Sequence, residues 1–161
     1  MSSPSHLHLR NQICLALYSA GNALSRAYRP LLEPLDLTYP QYLVMLALWE
    51  EDRVSVTAIC ERTRLDTGTV TPLLKRLEAK GLLLRARSVE DERRRVISLT
   101  DSGRALQARA EDIPLRMACL GVLTPAEGAE LKRLSETLYR NLLALEQLRA
   151  NPGDNEDGLA G

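Results

Sequence analysis

The stretch Ser55–Thr100 constrains the fold more than any other part of the chain. Ser55 is a suitable N-cap for a short helix over Val56–Arg62, with Ile59 directed inward. After Thr63-Arg64-Leu65, Asp66 can cap a second helix carrying Val70, Leu73, Leu74 and Leu77, and Gly81 stands where a C-terminal glycine is expected. Two short helices joined by a three- or four-residue turn make a helix–turn–helix. Two strand-like runs follow, near 82–88 and 94–100, with the charged Ser88–Arg93 turning between them. A helix–turn–helix closed by a basic hairpin is a winged helix, so the expected fold class is mainly α with a small β-wing.

The formal net charge of the 161 residues is zero, but its distribution is uneven. Between Arg62 and Arg95 ten Lys/Arg face five Asp/Glu, a local excess of five positive charges. Salt screens charges beyond roughly 10 Å, so a phosphate backbone responds to this local excess and not to the total. The N-terminal half of the second helix, Asp66–Pro72, is expected to meet base edges in the major groove. There Thr67, Thr69 and Thr71 offer hydroxyls that donate or accept, and methyls that suit a thymine methyl. Lys75 and Arg76 lie one to two turns later, in reach of phosphates or a guanine. In the wing, Arg93, Arg94 and Arg95 follow Glu90-Asp91-Glu92. An arginine entering a narrow minor groove is the expected chemistry of the tip, while another pairs with Asp91 to shape the turn; the sequence leaves open which does which. The expected partner is double-stranded operator DNA.

On either side of this region the apolar pattern is helical. Ile13, Leu17, Ala20, Leu24, Ala27 and Leu31 recur at three- and four-residue spacing, predicting one long helix from about Leu7 that ends before Arg29-Pro30. Leu31–Leu37, with Pro34, reads as a loop. Thr38 can cap a helix with Pro40 in its first turn that runs through Trp49 and breaks at Glu51–Arg53. Thr100 caps a helix to about Cys119, and Thr124-Pro125-Ala126-Glu127 opens a last one to about Leu148. The apolar stripes of 7–37 and 101–148 exceed what the small winged-helix region 38–100 can cover. They are expected to form a homodimer whose two reading heads match a palindromic site. Residues 1–150 are then one unit, and the acidic, Gly-rich 151–161 a disordered tail.

Met1–Arg10 lacks the apolar core of a signal peptide and no run of about 18 apolar residues exists, so a cytoplasmic location without membrane contact is expected. Cys14, Cys60 and Cys119 have neither CxxC nor CxxH spacing, which argues against structural disulfides and zinc. His6 and His8 fall in a terminus expected to fray. No metal or cofactor is anticipated.

Asp91-x-Arg93 followed by Val96-x-Ser98-Leu99-Thr100-x-x-Gly103 resembles the signature of the MarR family of winged-helix regulators, and the order of helices and wing agrees over about Leu7–Leu148. The resemblance implies a homodimeric repressor with its first and last two helices at the interface. Asn11–Ala20 and Asp36–Tyr42 further resemble the organic hydroperoxide resistance branch. That likeness implies Cys14 as the peroxidatic thiol, Tyr28 and Tyr39 as its hydrogen-bond partners in the reduced state, and Cys119 as a resolving thiol that bonds across the dimer. Spacing adds a constraint. Cys14 and Tyr28 are 14 residues apart, about 21 Å along one helix, so they can meet only across a dimer; Tyr18, one turn from Cys14, can reach it within the chain. A thiol with a pKa of about 8.5 is mostly protonated at neutral pH; its thiolate attacks the hydroperoxide to give a sulfenic acid, which a second thiol traps as a disulfide. Leu15 departs from the branch, which often has an aromatic there, and the chain has no Phe, so the preferred peroxide can differ. Cys60 reads as core. Two other readings compete. One is a MarR-type repressor released by a reversible phenolic or lipophilic ligand in the cleft between dimer and reading head. The other is a thiol peroxidase using Cys14 and Cys119; the absence of any motif for a recycling partner, and a basic wing without purpose, argue that the chain is not an enzyme.

Overall fold

Local capping chemistry sets most element boundaries in the computed structural model, which describes residues 5–87 and 95–150. Two 3-10 turns, Ser5–Leu7 and Leu9–Asn11, precede α1 (Ile13–Leu32), so the first long helix begins at Ile13 and not near Leu7. Nor does it stop before Arg29-Pro30. Proline removes one amide and crowds the carbonyl four residues back, at a cost of about 3 kcal/mol in a helix interior. Here Pro30 sits in the last turn, where Leu32 is fully buried and the Glu33 amide still reaches the Arg29 carbonyl. Burying a leucine is worth about 2 kcal/mol, and the remaining bond helps hold the turn. The segment expected as a loop is partly a 3-10 turn, Glu33–Leu35, closed by Asp36 in left-handed backbone (φ 53°). The Leu37 amide donates to Leu32 O (3.2 Å) and that of Asp36 to Glu33 O (2.9 Å).

α2 (Tyr39–Glu50) opens on a reciprocal capping box: Gln41 N donates to Thr38 Oγ1 (3.4 Å) and Thr38 N to Gln41 Oε1 (3.0 Å). Ser55 caps α3 (Val56–Thr63) and Asp66 caps α4 (Thr67–Ala79). Beyond α4, Gly81 adopts φ 71°, with Leu82 N bonded to Leu77 O and Gly81 N to Glu78 O, the Schellman arrangement that favours glycine there. β2 (Leu83–Arg87) and β3 (Arg95–Leu99) form the antiparallel hairpin expected, in register Leu83↔Leu99 to Arg87↔Arg95. Its tip lies outside the described residues. A third strand, β1 (Val54–Ser55), pairs with the other side of β3, giving the order β1–β3–β2. Two residues carry no alternation, so this strand left no mark in the sequence.

Thr100 caps α5 (Asp101–Ala110), but the single helix expected to reach Cys119 is broken. α6 (Ile113–Ala118) starts after a turn at Glu111 and Asp112, because Pro114 has no amide to offer the Ala110 carbonyl. Both Ile113 and Met117 of α6 are buried. α7 (Pro125–Ala150) begins where the capping residues predict, with Glu127 N donating to Thr124 Oγ1 (3.3 Å) and Thr124 N to Glu127 Oε2 (2.8 Å).

The chain folds as two compact units, one ending at Met117 and one beginning at Ala118. In the first, Leu32, Met45, Leu48, Ile59, Leu74, Leu77, Leu83, Ile97 and Ile113 lie within one core. The Trp49 indole donates to Gly103 O (2.9 Å). Gly103 itself packs so closely on the strand entry that any Cβ would collide with the Leu82 carbonyl. Asp52, just past α2, accepts from Leu99 N (2.8 Å) and from Arg104 Nη1 (2.6 Å), binding β3 and α5 to the same corner. In the second unit α7 has no buried residue. No helix among the described residues is long and apolar enough to cross a membrane.

Candidate nucleic-acid interface and thiol site

α3, α4 and the hairpin surround an open concavity of about 790 Å³. Thr67, Thr71 and Lys75, spaced by four, put one stripe of α4 on it; Thr57 comes from α3, Ser55 from the cap just before it, and Arg85 and Arg95 from the strands. A duplex seated here would meet hydroxyls and three cations. Of the residues expected to contact DNA, these four (Thr67, Thr71, Lys75 and Arg95) are brought together. Thr69 and Arg76 are exposed on α4 but do not line the concavity. Arg93, Arg94 and Asp91 lie outside the described residues.

Thr69 has a prior engagement. Its hydroxyl donates to Asp66 Oδ2 (2.6 Å) and its amide to Asp66 Oδ1 (2.8 Å), which hold the Asp66 carboxyl below the usual carboxylate range. The Thr69 side chain can therefore accept from a base but has no proton to give. Cys60 is half-buried, not fully in the core, and its Sγ lies 3.7 Å from Thr67 Oγ1.

Arg85 was not singled out by its sequence position. It is held by Glu78 at the end of α4: Nε donates to Oε2 (2.7 Å) and the Arg85 amide to Oε1 (3.2 Å). The Arg85 guanidinium is the main reason the Glu78 carboxyl sits below its ordinary range. This pair ties recognition helix to wing. The signal that could have found it is the i, i+7 placement of an acid and a base across the Gly81 turn. At the same end of α4, Lys80 Nζ is 3.0 Å from the Asp36 carboxylate and also donates to the Asp36 carbonyl.

The tyrosines form a second cluster. Tyr28 of α1 and Tyr39 of α2 have ring centroids 4.7 Å apart, and Tyr42 lies 6.0 Å from Tyr28. Burial pushes the Tyr28 phenol up; burial, then the charge of Tyr28, does the same for Tyr39. Both remain neutral donors at neutral pH. Neither hydroxyl is hydrogen-bonded among the described residues. Cys14 is exposed in the first turn of α1, at the positive end of the helix dipole. Tyr18 is 73% exposed and shares no hydrogen bond with it in this chain. Cys119 is exposed in the second unit.

Comparison with known proteins gives three kinds of match. The family description "Transcriptional regulator SarA/Rot" matches residues 26–109. The organic hydroperoxide resistance transcriptional regulator of Bacillus subtilis (strain 168) is 46% identical over 142 residues, 88% of this chain and 95% of that protein. Among solved structures, reduced AbfR bound to DNA superposes with a TM-score of 0.72 at 32% identity, covering 88% of this chain and 98% of that one. The disulfide form of AbfR, a protein of Staphylococcus epidermidis, gives 0.59 at 35% identity, covering 81% and 92%. A reading surface of hydroxyls and cations on a winged helix, with sequence likeness along nearly the whole chain, has one interpretation: this chain belongs to the MarR/SarA family of winged-helix transcriptional regulators.

Proposed function

We propose that the chain is a thiol-based repressor that binds a palindromic operator as a homodimer and releases it when an organic hydroperoxide oxidises Cys14. The observation that carries this reading is the close, tilted Tyr28–Tyr39 pair, with two phenol hydroxyls that no described residue engages. About 21 Å of helix separates Tyr28 from Cys14 of its own chain, so the thiol these phenols would hold is Cys14 of the partner subunit. Support for a dimer comes from the apolar stripe of α1, where Ile13, Leu17 and Leu24 are 70%, 39% and 45% exposed, and from the leucines of α7. Support for the inducer comes from the Bacillus relative, and for the disulfide from the AbfR form named above.

The chemistry balances without a cofactor. The Cys14 thiolate attacks the terminal peroxide oxygen, the O–O bond breaks, and the alkoxide leaves as an alcohol after taking up a proton. Sulfur, now a sulfenic acid, no longer accepts the phenol hydrogen bonds in the same geometry. The Cys119 thiol of the other subunit then attacks that sulfur, forming the disulfide and expelling water. The reading heads are displaced by this bond, and binding to both half-sites fails together.

A titration of operator duplex with and without an organic hydroperoxide tests it. Wild type should release DNA, Cys14→Ser should remain bound, and Cys119→Ser should stop at the sulfenic acid without a disulfide-linked dimer on non-reducing gels. Release of Cys14→Ser by hydroperoxide sinks the proposal. A second reading, release by a reversible phenolic or lipophilic ligand, has one observation in its favour: a cavity of about 520 Å³ between α2 and α5–α6, walled by Tyr42, Leu46, Trp49 and Pro114. Saturable release insensitive to thiol oxidants would select it.

A further inference from the structure

The concavity that faces DNA contains a residue of the wrong sign. Glu61, in the last turn of α3, lines it beside Thr57, Thr67 and Lys75, and is the one carboxylate among the described residues that do so. Acidic groups nearby are compensated: Glu78 by Arg85, Asp66 by the hydroxyl and amide of Thr69. Among the described residues Glu61 has no hydrogen bond or ion pair. Its sequence neighbour Arg62 does not serve it, because that side chain turns back to Glu51 and to the Ala47 carbonyl (3.3 Å) on α2. α3 thus sends its cation inward to the scaffold and leaves its carboxylate in the groove.

The first helix of a helix–turn–helix crosses the nucleic-acid backbone, and bases are read by the second. A carboxylate on the first helix therefore meets phosphates and not base edges. We infer that Glu61 limits affinity for DNA by opposing a phosphate inside the binding groove, on every sequence alike. Each phosphate a protein neutralises contributes a slope of about 0.9 to the fall of log K with log salt, so at roughly 0.1 M salt one such contact is worth about eightfold in affinity. Glu61 cancels about one of the contacts that Lys75, Arg85 and Arg95 supply. The result is a reading head with little sequence-independent grip on DNA. This inference needs only that the winged helix binds duplex DNA; it stands or falls apart from the thiol chemistry.

The test is a salt series on the reduced full-length protein, with a random-sequence duplex and a duplex selected for tight binding, comparing wild type, Glu61→Gln and Glu61→Asp. Both variants are at an exposed position, and equal thermal midpoints would confirm intact folds. Glu61→Gln should tighten both duplexes by about eightfold near 0.1 M salt and steepen the salt slope by about 0.9, with base preference unchanged and Glu61→Asp close to wild type. Unchanged affinity and slope would overturn the inference, since the carboxylate would then face solvent in the complex. Weaker binding confined to one base pair of the selected site would overturn it as well, making Glu61 a direct reader of a cytosine amino group.

Discussion

On α4, Val70, Leu73, Leu74 and Leu77 are all at most 7% exposed, whereas on α1 Ile13, Leu15, Leu17 and Leu24 are 37–70% exposed. α1 is the more apolar helix of the two, yet it is α4 whose apolar side chains are out of water. α4 closes its stripe against α2, α3 and the hairpin, inside a core supplied by the same chain. α1 closes only its C-terminal end, at Leu32, and α7 closes nothing: Leu131, Leu134, Leu138 and Leu145 remain between 37% and 51% exposed. Because covering a leucine is worth about 2 kcal/mol, stripes like these favour association. The contrast separates a reading head that folds on its own residues from flanking helices that need another surface. It also places the tyrosine pair where the self-sufficient part ends.

Gly103→Ala should have the largest effect on the self-contained reading head. If the reading head is held by the close seating of α5 on the strand entry, this variant should lose about 3 kcal/mol or more, read as a drop in the denaturant midpoint. Wild-type stability would mean that the seating is looser than described. Leu138→Asp in α7 probes the other side. It should weaken self-association by about 30-fold in sedimentation, with little change in how the reading head unfolds; coupled loss of both would erase the distinction. At the boundary, Tyr28→Phe should slow oxidation of Cys14 by about tenfold, the loss expected for one hydrogen bond to a charged sulfur, and leave the DNA affinity of the reduced protein as it was. The smallest effect concerns the tie between wing and helix. Glu78 has a lowered carboxyl pKa in the fold, so on acidification the unfolded chain takes up its proton first. The stability it contributes is present above its ordinary value of 4.5 and drains away as pH falls through the lower folded value. Glu78→Gln should cost about 0.5–1 kcal/mol at pH 7, discounted for a side chain one-third exposed. That cost should shrink as pH falls below 4.5, a convergence that paired unfolding curves would register.

What the sequence disclosed follows from the range of the forces involved. Thr38, Ser55, Asp66, Thr100 and Thr124 act on amides two or three residues away, so each helix start could be read from its own neighbourhood, as could the glycine at 81. α1 running through Pro30 could not, because the burial of Leu32 that carries the helix past proline depends on residues far along the chain. β1 exists only because β3 offers a free side to Val54 and Ser55. Among the residues that line the concavity, Thr67, Thr71, Lys75 and Arg95 were legible as one face of a helix and a basic strand. The commitment of Thr69 to Asp66 was also local and followed from the cap already assigned. Arg85 could have been found from its spacing to Glu78 across the Gly81 turn, but Glu61 was hidden, since its place in the concavity depends on how α3, α4 and the strands come together.

The corner at Asp52 has a mechanical meaning. α2 carries Tyr39 at its first position, and just beyond its last one Asp52 grips both the backbone of Leu99 and the guanidinium of Arg104. Between them runs a helix of 12 residues, about 18 Å long, with Tyr42, Val44, Met45 and Leu48 buried. In the thiol switch proposed above, a displacement of the Tyr39 phenol at one end would reach the root of the wing and α5 through this one helix.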